Sequence, residues 1–544
     1  MAFLPHPFNN SSPMDKRQKI AQLLPQAMRH HEANELDRAM ALYRQILELD
    51  SRDADANHLL GLALHQSGND EQAIPLFKRA LMASPRNPFC HANLAELWRK
   101  QGKTENALEC YRNVLSINPH DMAIRHLMGE ALAKLERNAE AVAEYEKIIA
   151  SGKATSATYW GMSEVLRQVD RMDDAVAAAR KAIELDPNSD GAWHAYGWNL
   201  VRTGKVRESL PCFERAIQLN SKKPLLYWRR GWARLLLGDY ERGWPDYETR
   251  WDDEEIQLKD RRPFPGLIWR GDDVNGKTVF VHMEQGAGDA LQFLRYVPMI
   301  QERGGRVVLE CYKDLAPLIA RSIPGLELRT DPSQPPPQYD FHVPLLSLPY
   351  AFKTTLATVP AKVPYLHADP VAVEVWRARL AEKPGLKIGL TWSGNPKHKN
   401  DRHRSIKLAQ LGALKDIAGI QLVSLQKGPG SEQIAQVPEL NLLNWTDELK
   451  NWDDTAALAS ALDVIITVDT SVAHLAGALA KPTWMLLPFA PDFRWIIDRE
   501  DTPWYPTMRL FRQQKFNDWQ PPLAKLFDEV KAQAGRSSGS SRDT

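Results

Sequence analysis

Cysteine is scarce in this 544-residue chain. The four present, Cys90, Cys110, Cys212 and Cys311, include no CxxC pair and no other metal-ligand spacing. That excludes a disulfide framework and a thiolate metal site, and predicts buried thiols in a reducing compartment. Long uncharged apolar runs are missing too, so no integral membrane segment is expected. The N-terminal MAFLPHPFNNSSPMDKRQK lacks the apolar core of a secretion signal. The resulting expectation is a cytoplasmic protein. Excess charge of one sign is also absent: 69 basic against 68 acidic residues leave a net +1, which argues against a nucleic-acid partner. The length exceeds what one core organises and implies several domains.

What the first half does have is a period of 34 residues. Ala39, Ala73, Ala107, Ala141, Ala175, Ser209 and Gly243 fall in one column of small residues. Tyr43, Phe77, Tyr111, Tyr145, Ala179, Phe213 and Tyr247 form a mostly aromatic column four residues later. Prolines recur at Pro85, Pro119 and Pro187, and glycines at Gly61, Gly129, Gly197 and Gly231 and again at Gly68, Gly102, Gly204 and Gly238. Small residues let two helices approach, an aromatic fills the gap beside them, glycine is expected in the turns, and proline ends the second helix. The pattern resembles the tetratricopeptide repeat (TPR) family of stacked helical hairpins. It spans about residues 20–257, behind an N-terminal extension at 1–19, and departs from its columns at Gly243 and Arg250.

The resemblance implies a superhelix whose concave face binds a protein or peptide, with His58, His126, Trp160, His194 and Trp228 on that face. The TPR-bearing N-acetylglucosamine transferases carry an asparagine ladder there; only Asn93 stands at the ladder position here. The late repeats are rich in tryptophan (Trp160, Trp193, Trp198, Trp228, Trp232, Trp244, Trp251). Most of these are expected to pack at a junction with the next domain.

After Trp251 a charged, turn-rich stretch reads as a linker. Short apolar runs then alternate with helical segments, which implies parallel sheets with crossover helices. TVFVHM (278–283), RVVLECY and the start of YDFHVPLLSLP read as strands, with helices at GDALQFLRYVPMIQERG and DLAPLIARSI. From about Gly385 a second set follows: strands at KIGLTWSG, IQLVSLQKG, DVIITVDT and PTWMLLP, helices at SIKLAQLGALKDI, DDTAALASAL, SVAHLAGALA and PPLAKLFDEVKAQAG. The expected fold is an α-solenoid followed by two doubly wound, Rossmann-like α/β units, at 258–384 and 385–535, with a disordered tail at 536–544.

Three strand ends carry candidate chemistry. In DVIITVDTSVAHLAG, a buried strand stops at Asp469, Thr470 and Ser471 and a helix begins at once, so free N–H groups and hydroxyls make an anion site, with His474 one turn in. The alternative is that Asp469 and Thr470 only cap the helix. In GLTWSGNPKHKNDRHRSI, the loop Trp392-Ser393-Gly394-Asn395 precedes Lys397, His398, Lys399, Arg402, His403 and Arg404; loop N–H groups plus cations suit a diphosphate, or the charges simply face water. In HMEQGAGDALQFLRY, Asp289 opens a helix and is either a base or a dipole-stabilised terminal carboxylate, with Glu284 as a second candidate.

These segments resemble the heptosyltransferase-like GT-B glycosyltransferases. The Asp-Thr-x-x-x-His run is similar to the family's donor-diphosphate site, with Ser471 where the family often has glycine. Ser393, Gly394 and Arg404 match its donor loop, and Glu432 its ribose-binding acid. Gly288-Asp289-Ala290-Leu291 matches its first-domain loop, which makes Asp289 the base that deprotonates the acceptor. The resemblance implies an inverting glycosyltransferase that takes a nucleotide-sugar as substrate and needs no separate cofactor. The proposed phosphate loops hold no DxD carboxylate pair, so cations and helix N-termini would take the place of a metal. A protein acceptor is expected on the repeats, and uridine, adenosine and guanosine donors are all compatible. Two other classes remain: a non-catalytic TPR scaffold with a degenerate transferase-like domain, and a transferase acting on lipid-linked saccharides.

Overall fold

The computed structural model describes residues 13–253 and 262–539. Residues 1–12 of the expected extension, the centre of the linker and the end of the tail lie outside that range. The chain divides into two compact units, Met1–Asn199 and Leu200–Thr544.

The first unit is built of helical hairpins: α1 (Pro13–Glu32) with α2 (Leu36–Leu49), α3 (Ala54–Gln66) with α4 (Asp70–Ala83), α5 (Pro88–Lys100) with α6 (Thr104–Ile117), α7 (Met122–Lys134) with α8 (Asn138–Ala150), and α9 (Ser156–Gln168) with α10 (Met172–Leu185), followed by α11 (Asp190–Arg202). Asp53, Asn87 and Asp121 cap α3, α5 and α7 by accepting N–H bonds from Ala56, Cys90 and Ile124, three residues on. The small column is buried, from Ala39 through Ala175, and so are the rings of Tyr43, Phe77, Tyr111 and Tyr145.

The two glycine columns do different work. Gly68 and Gly102 sit in turns with φ of +81° and +71°, as expected. Gly61 and Gly129 instead lie inside α3 and α7. A Cβ there would come within 3.0 Å of the Phe77 ring and 2.9 Å of the Tyr145 ring. That column exists for close packing, because the aromatic of the second helix occupies the space a side chain would need. On the expected binding face, Asn93 Nδ2 lies 3.1 Å from His58 Nε2, and His126 lies 3.3 Å from Glu130.

The second unit opens with α12 (Val206–Leu219), α13 (Pro224–Leu236) and α14 (Tyr240–Glu248), so that fourteen described helices form the solenoid. Two parallel five-stranded sheets follow. The first contains β1 (Leu267–Ile268), β2 (Thr278–His282), β3 (Arg306–Glu310), β4 (Glu327–Arg329) and β5 (Phe341–Pro344), in the order β1-β5-β2-β3-β4. The second contains β6 (Leu386–Thr391), β7 (Ile420–Ser424), β8 (Val464–Val468), β9 (Thr483–Leu487) and β10 (Met508–Arg512), in the order β10-β9-β8-β6-β7. The helices are α15 (Ala287–Phe293), α16 (Val297–Glu302), α17 (Ala316–Ser322), α18 (Leu348–Ala351), α19 (Pro370–Ala381), α20 (Asp401–Arg404), α21 (Trp452–Ala461), α22 (Ser471–Ala478) and α23 (Gln520–Gly539). No described helix is long and apolar enough to cross a membrane.

Several expectations are corrected. The helix read through 288–304 breaks at a 3-10 turn, Leu294–Tyr296, and SIKLAQLGALKDI is a 3-10 run, Leu408–Asp416. β1, β4, β10 and α19 have no counterpart in the sequence reading. Val373, Trp376 and Leu380 of α19 join the second sheet's core beside Val423 and Leu458, so that core gathers residues ahead of Gly385. Helix α23 carries on through 536–539, where disorder was expected. Leu526, Val530 and Ala534 anchor its apolar face, and extending an anchored helix needs only one hydrogen bond per residue.

The final hairpin packs onto the α/β part of its own unit. The Phe493 ring lies 5.0 Å from Trp232, 6.0 Å from Trp244 and 5.2 Å from Tyr247. Trp504 Nε1 donates to Tyr240 Oη at 3.0 Å, and Ile497 N donates to the Leu236 carbonyl at 3.0 Å. The junction role expected of the late tryptophans holds for Trp232 and Trp244.

Candidate functional site

β8 is buried along its whole length, and Asp469 follows it directly. Thr470 is the N-cap of α22, extended at φ −136° and ψ 174°, and its side chain makes no cap bond. Its hydroxyl meets Thr467 Oγ1 at 3.2 Å instead. Helix α22 therefore starts with no bond from this side chain, and its dipole favours negative charge at that point.

The turn between β2 and α15 lies directly against this helix start. A Cβ on Gly288 would sit 3.3 Å from Ser471 Oγ and 3.0 Å from His474 Cδ2. A side chain at this position would be a tight fit, and Ser471 and His474 would have to give by a few tenths of an ångström. Asp289, the third residue of α15, accepts a bond from Gly286 N at 3.0 Å through Oδ2, which is one half of a capping box, the half that the third helical residue supplies. Its Oδ1 pairs with Arg494. Arg494 also donates to Asp492 at 2.7 Å.

His474 is 5% exposed. Its Nδ1 lies 3.0 Å from Tyr505 Oη, and its ring stacks on Trp495 at 5.2 Å. Burial, reinforced by Arg494, Arg295 and Arg404, holds the imidazole well below its ordinary pKa. It is neutral and acts by hydrogen bonding, not by charge. Burial and the nearby Asp492 push the Asp469 carboxyl up to about 6, although Arg404 and Arg494 pull it down.

The loop after β6 differs from its expected role. The N–H groups of Trp392 and Ser393 donate to Gln426 Oε1 at 3.1 and 2.9 Å, and Gly394 N donates to Ser405 Oγ at 2.9 Å. These loop donors are occupied within the protein because Gln426, at the end of β7, braces the turn. Arg404 pairs with Asp401 at 3.1 Å and lies within electrostatic range of Asp469. Lys397 and Lys399 are exposed. The structure thus gathers Asp289, Asp469, Thr470, Ser471 and His474, with Ser393, Gly394 and Arg404 alongside. Glu432 is exposed on the 3-10 segment Ser431–Gln436, and among the described residues no hydrogen bond or ion pair joins it to the others.

Glu284 is removed as a candidate base. It is fully buried and forms a two-point pair with Arg250, at 2.8 and 3.1 Å, while Leu346 N donates to it at 3.1 Å. The sequence reading missed Arg494 and Asp492. Their signal was position, since PFAPDFRW follows directly on a strand of the second sheet.

Buried neutral histidines set an acid limit on stability. Burial, with His342, Arg262 and Arg250 adding to it, lowers His282 to about 3, and His474 shifts the same way. Below the unfolded value near 6.5 the unfolded chain takes up protons that the folded chain refuses. Stability is therefore lost as pH falls from about 6.5 towards 3, by about 1.4 kcal/mol per pH unit for His282, and His474 adds to the loss in the same direction. Asp469, raised in the fold, acts oppositely between about 6 and 4 and offsets one of them. Urea unfolding at pH 7.5, 6.0 and 5.0 is expected to show this loss, and His282→Phe to flatten it; an unchanged slope in the variant would refute the assignment.

Comparison with known proteins places tetratricopeptide-repeat family matches at residues 24–88, 126–190 and 194–254, and at 88–121. Residues 24–254 are tetratricopeptide repeats. The chain is 29% identical over 326 residues to Protein FlbA of Caulobacter vibrioides, across 56% of this chain and 54% of that protein. It thus spans about half the length of the curated relative it matches. Among solved structures, it is similar to a tetratricopeptide repeat protein from Parabacteroides merdae, with 18% identity, a TM-score of 0.37, and coverage of 43% of this chain and 92% of that one. It is also similar to MamA from Desulfovibrio magneticus, with 18% identity, a TM-score of 0.29, and coverage of 31% and 95%.

Proposed function

We propose that the second unit is a GT-B-type glycosyltransferase that moves a sugar from a nucleoside diphosphate donor to an acceptor hydroxyl, and that the repeats bind a protein or peptide carrying the acceptor. The observation that carries this reading is the meeting of two turns at strand ends: the α22 start at Thr470 and Ser471, and the α15 start at Gly288, flanked by Arg494 and Arg404. Helix dipole, N–H groups and guanidinium groups together suit the charge of a diphosphate.

In this reading Asp289 takes the proton of the acceptor hydroxyl. The freed oxygen bonds to the anomeric carbon, and the bond to the diphosphate breaks with its electron pair going to the leaving oxygen. Arg404, Arg494 and the α22 terminus offset the charge that develops there. Ser393, Thr470 and Ser471 add hydroxyl donors, and neutral His474 adds a hydrogen bond without repelling or attracting charge.

Purified full-length protein incubated with labelled UDP-, GDP- and ADP-sugars and a lysate is expected to place label on protein. Label found only in water or lipid would sink the protein-acceptor part. A charge-assisted hydrogen bond contributes about 1.5–3 kcal/mol, so Arg404→Ala is expected to weaken donor binding by about ten- to a hundredfold. A second reading, a scaffold without turnover, draws on the loop after β6, whose N–H groups are already bonded. It predicts no donor cleavage at all, with or without acceptor.

A further inference from the structure

Resting on that reading, we infer that the Asp289–Arg494 pair is a latch which a diphosphate exchanges: Arg494 leaves the carboxylate for phosphate oxygens, and Asp289 is released to the acceptor hydroxyl. Arg494 enters from the 3-10 turn Phe493–Trp495, and its side chain is only 7% exposed. Two carboxylates share its guanidinium, Asp289 through Nη2 and Asp492 through Nη1. Its Nε is buried and has no hydrogen-bond partner among the described residues, so the fork holds a donor that no described protein acceptor uses. The rings of Phe293 and Phe493 lie 5.6 and 4.5 Å from it and keep water off.

While Arg494 holds Oδ1 of Asp289, that oxygen is not free to accept a hydrogen bond from an acceptor hydroxyl. A diphosphate carries more charge than Asp289 and presents several oxygens to the same fork. Once Arg494 turns to it, Oδ1 of the carboxylate is released to meet the acceptor hydroxyl. Release of the base then follows donor binding. The main chain need not move, because Trp232, Trp244 and Tyr247 of the final repeat hold Phe493 in place.

Isothermal titration of the full-length protein with UDP, GDP, ADP and inorganic pyrophosphate tests this. Arg494→Ala is expected to weaken the best of these probes about tenfold. Asp289→Asn keeps an acceptor for Gly286 N–H and is expected to tighten it about tenfold while abolishing turnover; Asp289→Ser serves as a second variant if the first melts early. In the Arg494→Ala background the tightening is expected to vanish. If it persists there, plain charge repulsion explains it and the latch is overturned. If Asp289→Asn leaves affinity unchanged or lower, the latch also falls while the transferase reading stands. If none of the four probes binds the parent protein, both fall together.

Discussion

Arg250→Ala is expected to destabilise the second unit by about 3–5 kcal/mol, the cost of leaving a buried charge without its partner. The Arg250 side chain is 0% exposed and donates to Glu248 at 2.6 Å, to Glu284 at 2.8 and 3.1 Å, and to Ser347 at 2.8 Å. Burial alone would pull the guanidinium down; Glu248 and Glu284 more than offset that and hold it above its ordinary pKa. Without Arg250, Glu284 keeps only the Leu346 N–H in a site closed to water. Urea unfolding measures the loss, and a change below about 1 kcal/mol would show that the pair contributes little. The double change Arg250→Met with Glu284→Leu replaces charge by apolar volume. It is expected to recover most of the stability, since buried pairs often exchange for hydrophobic residues at little cost.

A chain that begins at residue 258, where the repeats end by sequence, is expected not to fold cooperatively, whereas one that begins at Leu200 does. Cutting at 258 removes the rings of Tyr240, Trp244 and Tyr247, each 2% exposed or less. Large buried side chains contribute roughly 1.5–3 kcal/mol each, so these three account for roughly 5–9 kcal/mol before the Arg250 pair is counted. Domains are stable by only about 5–15 kcal/mol in total. Near-ultraviolet circular dichroism through a thermal ramp distinguishes the outcomes; a sharp transition in the shorter chain would refute the claim.

One of the two departures in the last repeat already hinted at this junction. Arg250 stands where the earlier repeats carry the apolar Ile46, Ala80, Val114, Ile148, Ala182 and Ala216, and its partner, Glu284, comes from the strand end after β2. At Gly243, a Cβ would strike the Leu235 side chain at 2.7 Å.

Periodic and local features were legible in the sequence. The 34-residue period set the hairpins, because each helix buries the same face against its neighbours and so repeats the same residue types. Buried apolar runs set the central strands, and Thr470-Ser471 after such a run set a helix start. Weakly patterned pieces such as β4 and β10 were not legible, because an edge strand is stabilised by the sheet beside it more than by its own residues. Only the tertiary structure decided what each polar group meets. Asp289 faces Arg494 across 205 positions of sequence, Gln426 occupies the N–H groups of the Ser393 loop, and Glu284 is buried against Arg250. Those pairings join residues far apart in the chain, and neither propensity nor periodicity carries information about them: a charge's role is fixed by the partner that folding brings within hydrogen-bonding distance.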